Sequence, residues 1–226
     1  MSKFCIAIDG SDEGKSMYMF SDDLFWGCRY YATKAQEATK PFEIVASNIS
    51  CVFCAGSFLE AKINEFIALT ASSKDKNIQP SRKFWQVLLE FQKDMKLKEK
   101  WNLMASIKSG RRWNEAVEPF QSYDLLIALR NELVHYKGKF SEDEKPPIKK
   151  LKALTQRFKG LRDIKMQALG ISCWVHQLLT APELGCWIAD TIEDLDINFE
   201  VYLFNQKLTK EQRRAKKLGR MCSTPF

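Results

Sequence analysis

Three side chains in one short stretch can do acid–base chemistry on an anion: Arg130, Asn131 and His135, within Arg130-Asn131-Glu132-Leu133-Val134-His135-Tyr136-Lys137. Histidine titrates near neutrality, so it can take or give a proton at working pH. Arginine stays charged, and its planar fork suits the oxygens of a phosphate or a phosphorane. An amide one helical turn before the histidine can orient the imidazole or donate a hydrogen bond to the phosphate. The spacing puts the set on a helix. Leu125, Leu126, Leu129, Leu133 and Tyr136 recur at the steps of a core stripe, in a run that begins near Tyr123 and is expected to stop at Gly138. Asn131 and His135, four apart, share another face. Tyr123, Ile127 and Val134 form a second, narrower apolar strip between Arg130 and that pair. Such a helix is built for two contacts, one with its own core and one with a partner.

Arg-Asn-x-x-x-His on a helix resembles the motif of the HEPN superfamily, helical domains found in many bacterial toxins and defence ribonucleases. That motif is an Arg, usually followed by a polar residue, with four to six residues between Arg and His. Ser57-Phe58-Leu59-Glu60-Ala61-Lys62-Ile63-Asn64-Glu65 is similar to the first core helix of such domains, and the resemblance covers about residues 45–205. It implies an all-α, HEPN-like helical bundle and a metal-independent endoribonuclease of toxin or phage-defence type. Arg130, Asn131 and His135 would be catalytic, with no cofactor and no metal. One chain offers a single motif histidine, whereas cleavage wants a base and an acid. By the resemblance, two copies pair their motif helices across a two-fold axis, which would bury Tyr123, Ile127 and Val134. The products would carry 2′,3′-cyclic phosphate and 5′-hydroxyl ends. The partners implied are RNA, a second copy, and an antitoxin or other regulatory protein. Some relatives carry a Tyr two positions after the His that their antitoxin adenylylates. Lys137 stands there in this chain, so the resemblance does not extend to that control. The alternative is a non-catalytic HEPN-like module that binds RNA, nucleotide or a partner protein. A helical adaptor whose basic tail binds nucleic acid is a third reading.

The elements that must position these residues are helical. Ser21 is placed as the cap of a helix over residues 22–38. Val52, Ala55, Leu59, Ile63 and Phe66 mark a long amphipathic helix over about 44–70. Ser81 is expected to cap a helix with the stripe Phe84, Val87, Leu88, Phe91 and Met95, followed by a solvated charge run over 96–100. Residues 101–107 read as a short helix ended at Ser109-Gly110, and Pro119 precedes the motif helix. Further helices are expected over 148–158 and 164–179. Thr180 is placed as the cap of a last helix carrying Leu184, Trp187, Ile188, Ile192, Leu195 and Phe199. Residues 1–42 are set apart as an N-terminal extension with a short β-hairpin and a helix, 43–205 as the helical domain, and 206–226 as a basic tail.

Other motifs carry less. Gly10 to Ser16 invites a phosphate-loop reading, but three residues rather than four separate the glycines, and Asp12 and Glu13 would repel phosphate. Cys51 and Cys54 could be a redox pair or half a zinc site; without further ligands at fitting spacing they read as core thiols. Arg111, Arg112 and Lys137 are candidates for RNA contact. Trp113, beside the two arginines, suits either base stacking or a loop tryptophan covering the core. His176 reads as structural, and 139–147 as a charged connector.

Composition bounds the class. The chain has 226 residues, 45% of them hydrophobic and 28% charged, as in an ordinary globular protein. The expectation is a cytoplasmic protein: no run approaches the ~20 apolar residues of a membrane span, and seven cysteines without framework spacing suit reduced thiols. The net charge of +7 is concentrated near the end: seven Lys and Arg against Glu211 alone over 207–226 give +6 there. That segment is either a solvated terminus or an arm that attracts phosphate.

Overall fold

A computed structural model describes residues 6–7, 16–73, 80–135, 151, 154, 158 and 174–204. Seven α-helices are bounded within them: α1 Phe20–Glu37, α2 Pro41–Ser72, α3 Arg82–Phe91, α4 Leu97–Ser109, α5 Phe120–Val134, α6 Trp174–Leu179 and α7 Glu183–Phe204. Strand structure among the described residues is one short antiparallel pair, β1 (Ile6–Ala7) and β2 (Ser16–Met17), in the register Ile6 to Met17. The protein is all-α, as the periodicity predicts. Residues 10–15 of the phosphate-loop segment, Tyr136 to Gly138, the 139–147 connector and the 206–226 tail lie outside the described residues. Of the expected helices over 148–158 and 164–179, Leu151, Leu154 and Phe158 are described and buried, and 174–179 is α6.

Local chemistry sets the helix ends. Asp22 and Asp23 begin α1 and Lys34 ends it, each charge opposite to the helix dipole it meets. Pro41 opens α2, where its missing N–H is no loss. The Glu99 carboxylate accepts the Lys96 N–H at 3.1 Å to cap α4, and Gly110 closes that helix in the left-handed conformation (φ 69°). At α5 the Glu118 carboxylate accepts the Ser122 N–H at 3.1 Å.

The chain divides into two compact units. One comprises Leu24–Ser57 and Glu115–Ile192. Its core holds Cys28 and Ala32 of α1, Cys51, Val52 and Ala55 of α2, Leu125, Leu126 and Leu129 of α5, and Leu184 and Ile188 of α7. Gly185 decides how closely two helices approach: a Cβ there would sit 2.9 Å from Ala32 Cα, a backbone atom that cannot step aside. Asn48, fully buried, donates from Nδ2 to the Leu179 and Ala181 carbonyls at 2.8 and 2.9 Å, taking up acceptors that the end of α6 leaves open. Within the stretch set apart as an N-terminal extension, α1 supplies the buried side chains Cys28 and Ala32 to this core. The Thr180 hydroxyl donates back to the Gln177 carbonyl at 2.6 Å, so Thr180 finishes α6 and does not cap α7.

The other unit comprises Met1–Asp23, Phe58–Asn114 and Glu193–Phe226. An aromatic cluster forms its core: Trp101 lies 4.7 Å from Phe199 and 5.1 Å from Trp113, and Phe66 lies 5.4 Å from Phe199 and 5.8 Å from Trp85. The Trp101 indole donates to the Leu59 carbonyl at 3.1 Å. Ser21 uses its N–H and its hydroxyl on the Glu65 carboxylate, so its side chain does not cap α1. Further sequence expectations change. Lys100, placed in a solvated run, is 3% exposed and donates to Asn64 Oδ1 at 3.0 Å, because α4 begins three residues earlier and turns it inward. On α3 the buried residues are Trp85 and Leu88, while Phe84, Val87 and Phe91 face outward. Trp85, the bulkiest apolar side chain on α3, takes the inner face. α2 is long and apolar enough to cross a membrane by length and composition, contrary to the sequence expectation. Yet it carries Asn48 and Glu65, both buried and hydrogen-bonded within the protein.

Candidate functional site at the end of the motif helix

α5 starts at Phe120 and ends at Val134, so the motif falls on its last turn. The early stop is a difference from the expected helix, which ran to Gly138. His135 is the C-cap, at φ −109° and ψ 23°, with its N–H bonded to the Asn131 carbonyl at 2.9 Å. Its side chain is exposed.

Arg130 is held from two directions. Its aliphatic stem runs across Gly56 of α2, where a Cβ would lie 3.2 Å from Arg130 Cγ. Its guanidinium donates from Nη1 to Asn131 Oδ1 at 3.1 Å. The residue is half-buried, the stem against protein and the cation at the surface beside an exposed Asn131. The motif thus presents a cation, an amide joined to it, and an exposed imidazole one turn on. This amide oxygen is engaged with the arginine, where the sequence reading also allowed it to orient the histidine.

The remaining site candidates separate. Tyr123 is 2% exposed and belongs to the core, which corrects its place on a contact strip; Ile127 is half-buried and Val134 is 43% exposed. Arg111 and Arg112 are exposed, but they belong to the other unit. Trp113 beside them is 6% exposed, packed on Trp101, with its N–H on Asn102 Oδ1 at 3.2 Å, so it covers the core and offers no stacking face. Lys137 lies outside the described residues. His176, expected to be structural in a core-like helix, is exposed on α6.

Two features depend on residues distant in sequence. Gly56 seats Arg130, yet a lone glycine in a helix gives no hint of what lies across from it. Four cysteines from three helices gather in the unit that carries the motif. Cys28 and Cys51, both buried, have their sulfurs 3.3 Å apart, and the Cys51 thiol donates to the Gly185 carbonyl at 3.6 Å. Burial pushes the Cys28 thiol well above its ordinary value and raises those of the half-buried Cys54 and Cys186. These are the properties of core thiols, unlike the depressed values of reactive ones. Among the described residues no group of three or more His, Cys, Asp and Glu is placed to hold a metal ion.

No protein-family model, no curated protein and no solved structure matches the chain.

Proposed function

We propose that the protein is a metal-independent endoribonuclease of HEPN type, working as a homodimer in a toxin or phage-defence role. The observation that carries the reading is the state of the motif: Arg130 seated on Gly56 and joined to Asn131, with His135 exposed at the helix end. RNA brings its own nucleophile. His135 of one copy takes the 2′-hydroxyl proton as the 2′-oxygen bonds to phosphorus. The bond from phosphorus to the 5′-oxygen breaks, and that oxygen takes a proton from His135 of the second copy. Arg130 meets the charge on the equatorial oxygens, and Asn131 keeps its guanidinium in place. The products are a 2′,3′-cyclic phosphate and a 5′-hydroxyl. Val134, exposed beside the histidine, would lie at the two-fold contact.

A second reading has its own support. Arg130 already has a packed stem and a hydrogen-bond partner, and His135 closes the helix with its backbone N–H on the Asn131 carbonyl. Under that reading the motif is structural, in a module that binds RNA or a protein. Induction in bacteria separates the two. A nuclease arrests growth and fragments cellular RNA, and His135→Ala, expressed to the same level, does neither. A structural motif instead predicts that His135→Ala lowers the melting temperature and has no distinct effect on RNA.

A further inference from the structure

Among the described residues, α3 carries an exposed apolar face. Phe84, Val87 and Phe91 are 36%, 47% and 61% exposed and recur at three- and four-residue steps, while Trp85 and Leu88 on the inner side fill the core. Large apolar side chains aligned in a surface stripe are the ordinary mark of a contact. The charges around the stripe identify the partner. Lys83 and Glu90 are two turns apart, so they border the same edge of it. Arg82 and Lys83 occupy the first turn, with no acid there, and Glu90 stands in the last turn, with no base. Both ends are charged against the dipole of α3 itself. A neighbouring helix running antiparallel reverses both mismatches, and a second α3 supplies the charge that each edge lacks.

We infer that α3 is a self-association face, on which two copies of this chain pack their α3 helices antiparallel about a two-fold axis near Val87. In that arrangement Phe84 of one copy lies level with Phe91 of the other, Val87 meets Val87, and Lys83 comes beside the partner's Glu90. The contact is isologous, with each residue used twice. It is separate from any pairing through α5, and it stands whether or not the motif is catalytic. A stripe of three residues buries little area, so the association is weak, in the micromolar range or above.

The test uses the full chain at about 100 micromolar, where a weak contact is populated. Val87→Cys should give a dimer on non-reducing electrophoresis, after mild oxidation, that the wild type does not give. Adding Lys83→Glu should reduce its yield about tenfold, and adding Glu90→Lys to that pair should restore it. Thermal melts equal to wild type establish that each variant is folded, and all these positions are solvent-exposed. Absence of a Val87→Cys dimer overturns the inference. So does a dimer whose yield ignores the Lys83→Glu reversal, because a random collision has no charge register. If the stripe serves a different protein or a membrane, the first of these outcomes is the one observed.

Discussion

Gly56→Ala separates the positioning of Arg130 from the stability of the fold. Alanine is favoured over glycine inside a helix by about 1 kcal/mol. The new methyl would lie 3.2 Å from Arg130 Cγ, a few tenths of an ångström inside ordinary contact. The obstruction is a side-chain stem, not backbone, so it can shift at about 0.5–1.5 kcal/mol if a torsion leaves its minimum. The two effects nearly cancel. Net stability should stay within about 1 kcal/mol of wild type, a shift in Tm of no more than about 2–4 °C for a chain of this size. The guanidinium, however, must move. If it meets the phosphorane, a shift of a few tenths of an ångström should slow cleavage by about threefold, since roughly 1 Å of misplacement costs about a hundredfold. The experiment is a thermal melt with RNA-cleavage rates for wild type, Gly56→Ala and Arg130→Ala. The reasoning fails if Gly56→Ala loses about 3 kcal/mol or more, since the approach of α2 to α5 is then limited by backbone. It fails equally if Gly56→Ala cleaves at the wild-type rate while Arg130→Ala does not cleave.

Four further predictions concern the core inside each unit. Trp101→Ala empties the centre of the aromatic cluster and should cost about 3–5 kcal/mol by denaturant melts, and Trp101→Phe should cost clearly less, since it keeps most of the volume and loses the bond to Leu59. Asn48→Leu leaves two buried carbonyls without their donor and should cost about 2–3 kcal/mol; Asn48→Asp should be worse, because it sets a carboxylate against both oxygens. The thiols of Cys28, Cys54 and Cys186, raised by burial above an ordinary 9.0, keep their protons in the fold where the unfolded chain loses them. Their contribution is complete below pH 9 and is lost as pH rises beyond it, so urea melts from pH 7 to pH 10 should show stability falling; a rise would contradict the assignment. On the folded protein, iodoacetamide should modify Cys54 and Cys186 more slowly than free cysteine at pH 8, and Cys28 last.

Periodicity carried the fold a long way. Val52, Ala55, Leu59 and Ile63 are all fully buried, as are Leu184, Ile188, Ile192 and Leu195, because long helices repeat their pattern often enough to average out single exceptions. α3 has ten residues and no such redundancy: two apolar stripes compete on it, and the edge-on packing of Trp85 against Phe66 decides that Trp85 goes in. Lys100 misled for a related reason, since a lysine amid charges looks solvated until Asn64 on another helix is known to receive it. At the site, Arg130, Asn131 and His135 were legible as a set because their spacing is local. Tyr123 was not, since its burial depends on what packs over α5. The seat of Arg130 on Gly56 and the meeting of Cys28 with Cys51 are tertiary facts that one-dimensional spacing does not hold.

The most direct measurement is cleavage of end-labelled RNA in EDTA by purified wild type and by His135→Ala, with His176→Ala as a second exposed-histidine control. The account predicts that wild type and His176→Ala cleave, leaving 2′,3′-cyclic phosphate ends, and that His135→Ala is inert at an unchanged melting temperature. Cleavage by His135→Ala at the wild-type rate would contradict it, and so would a wild type that cleaves only when a divalent metal is restored.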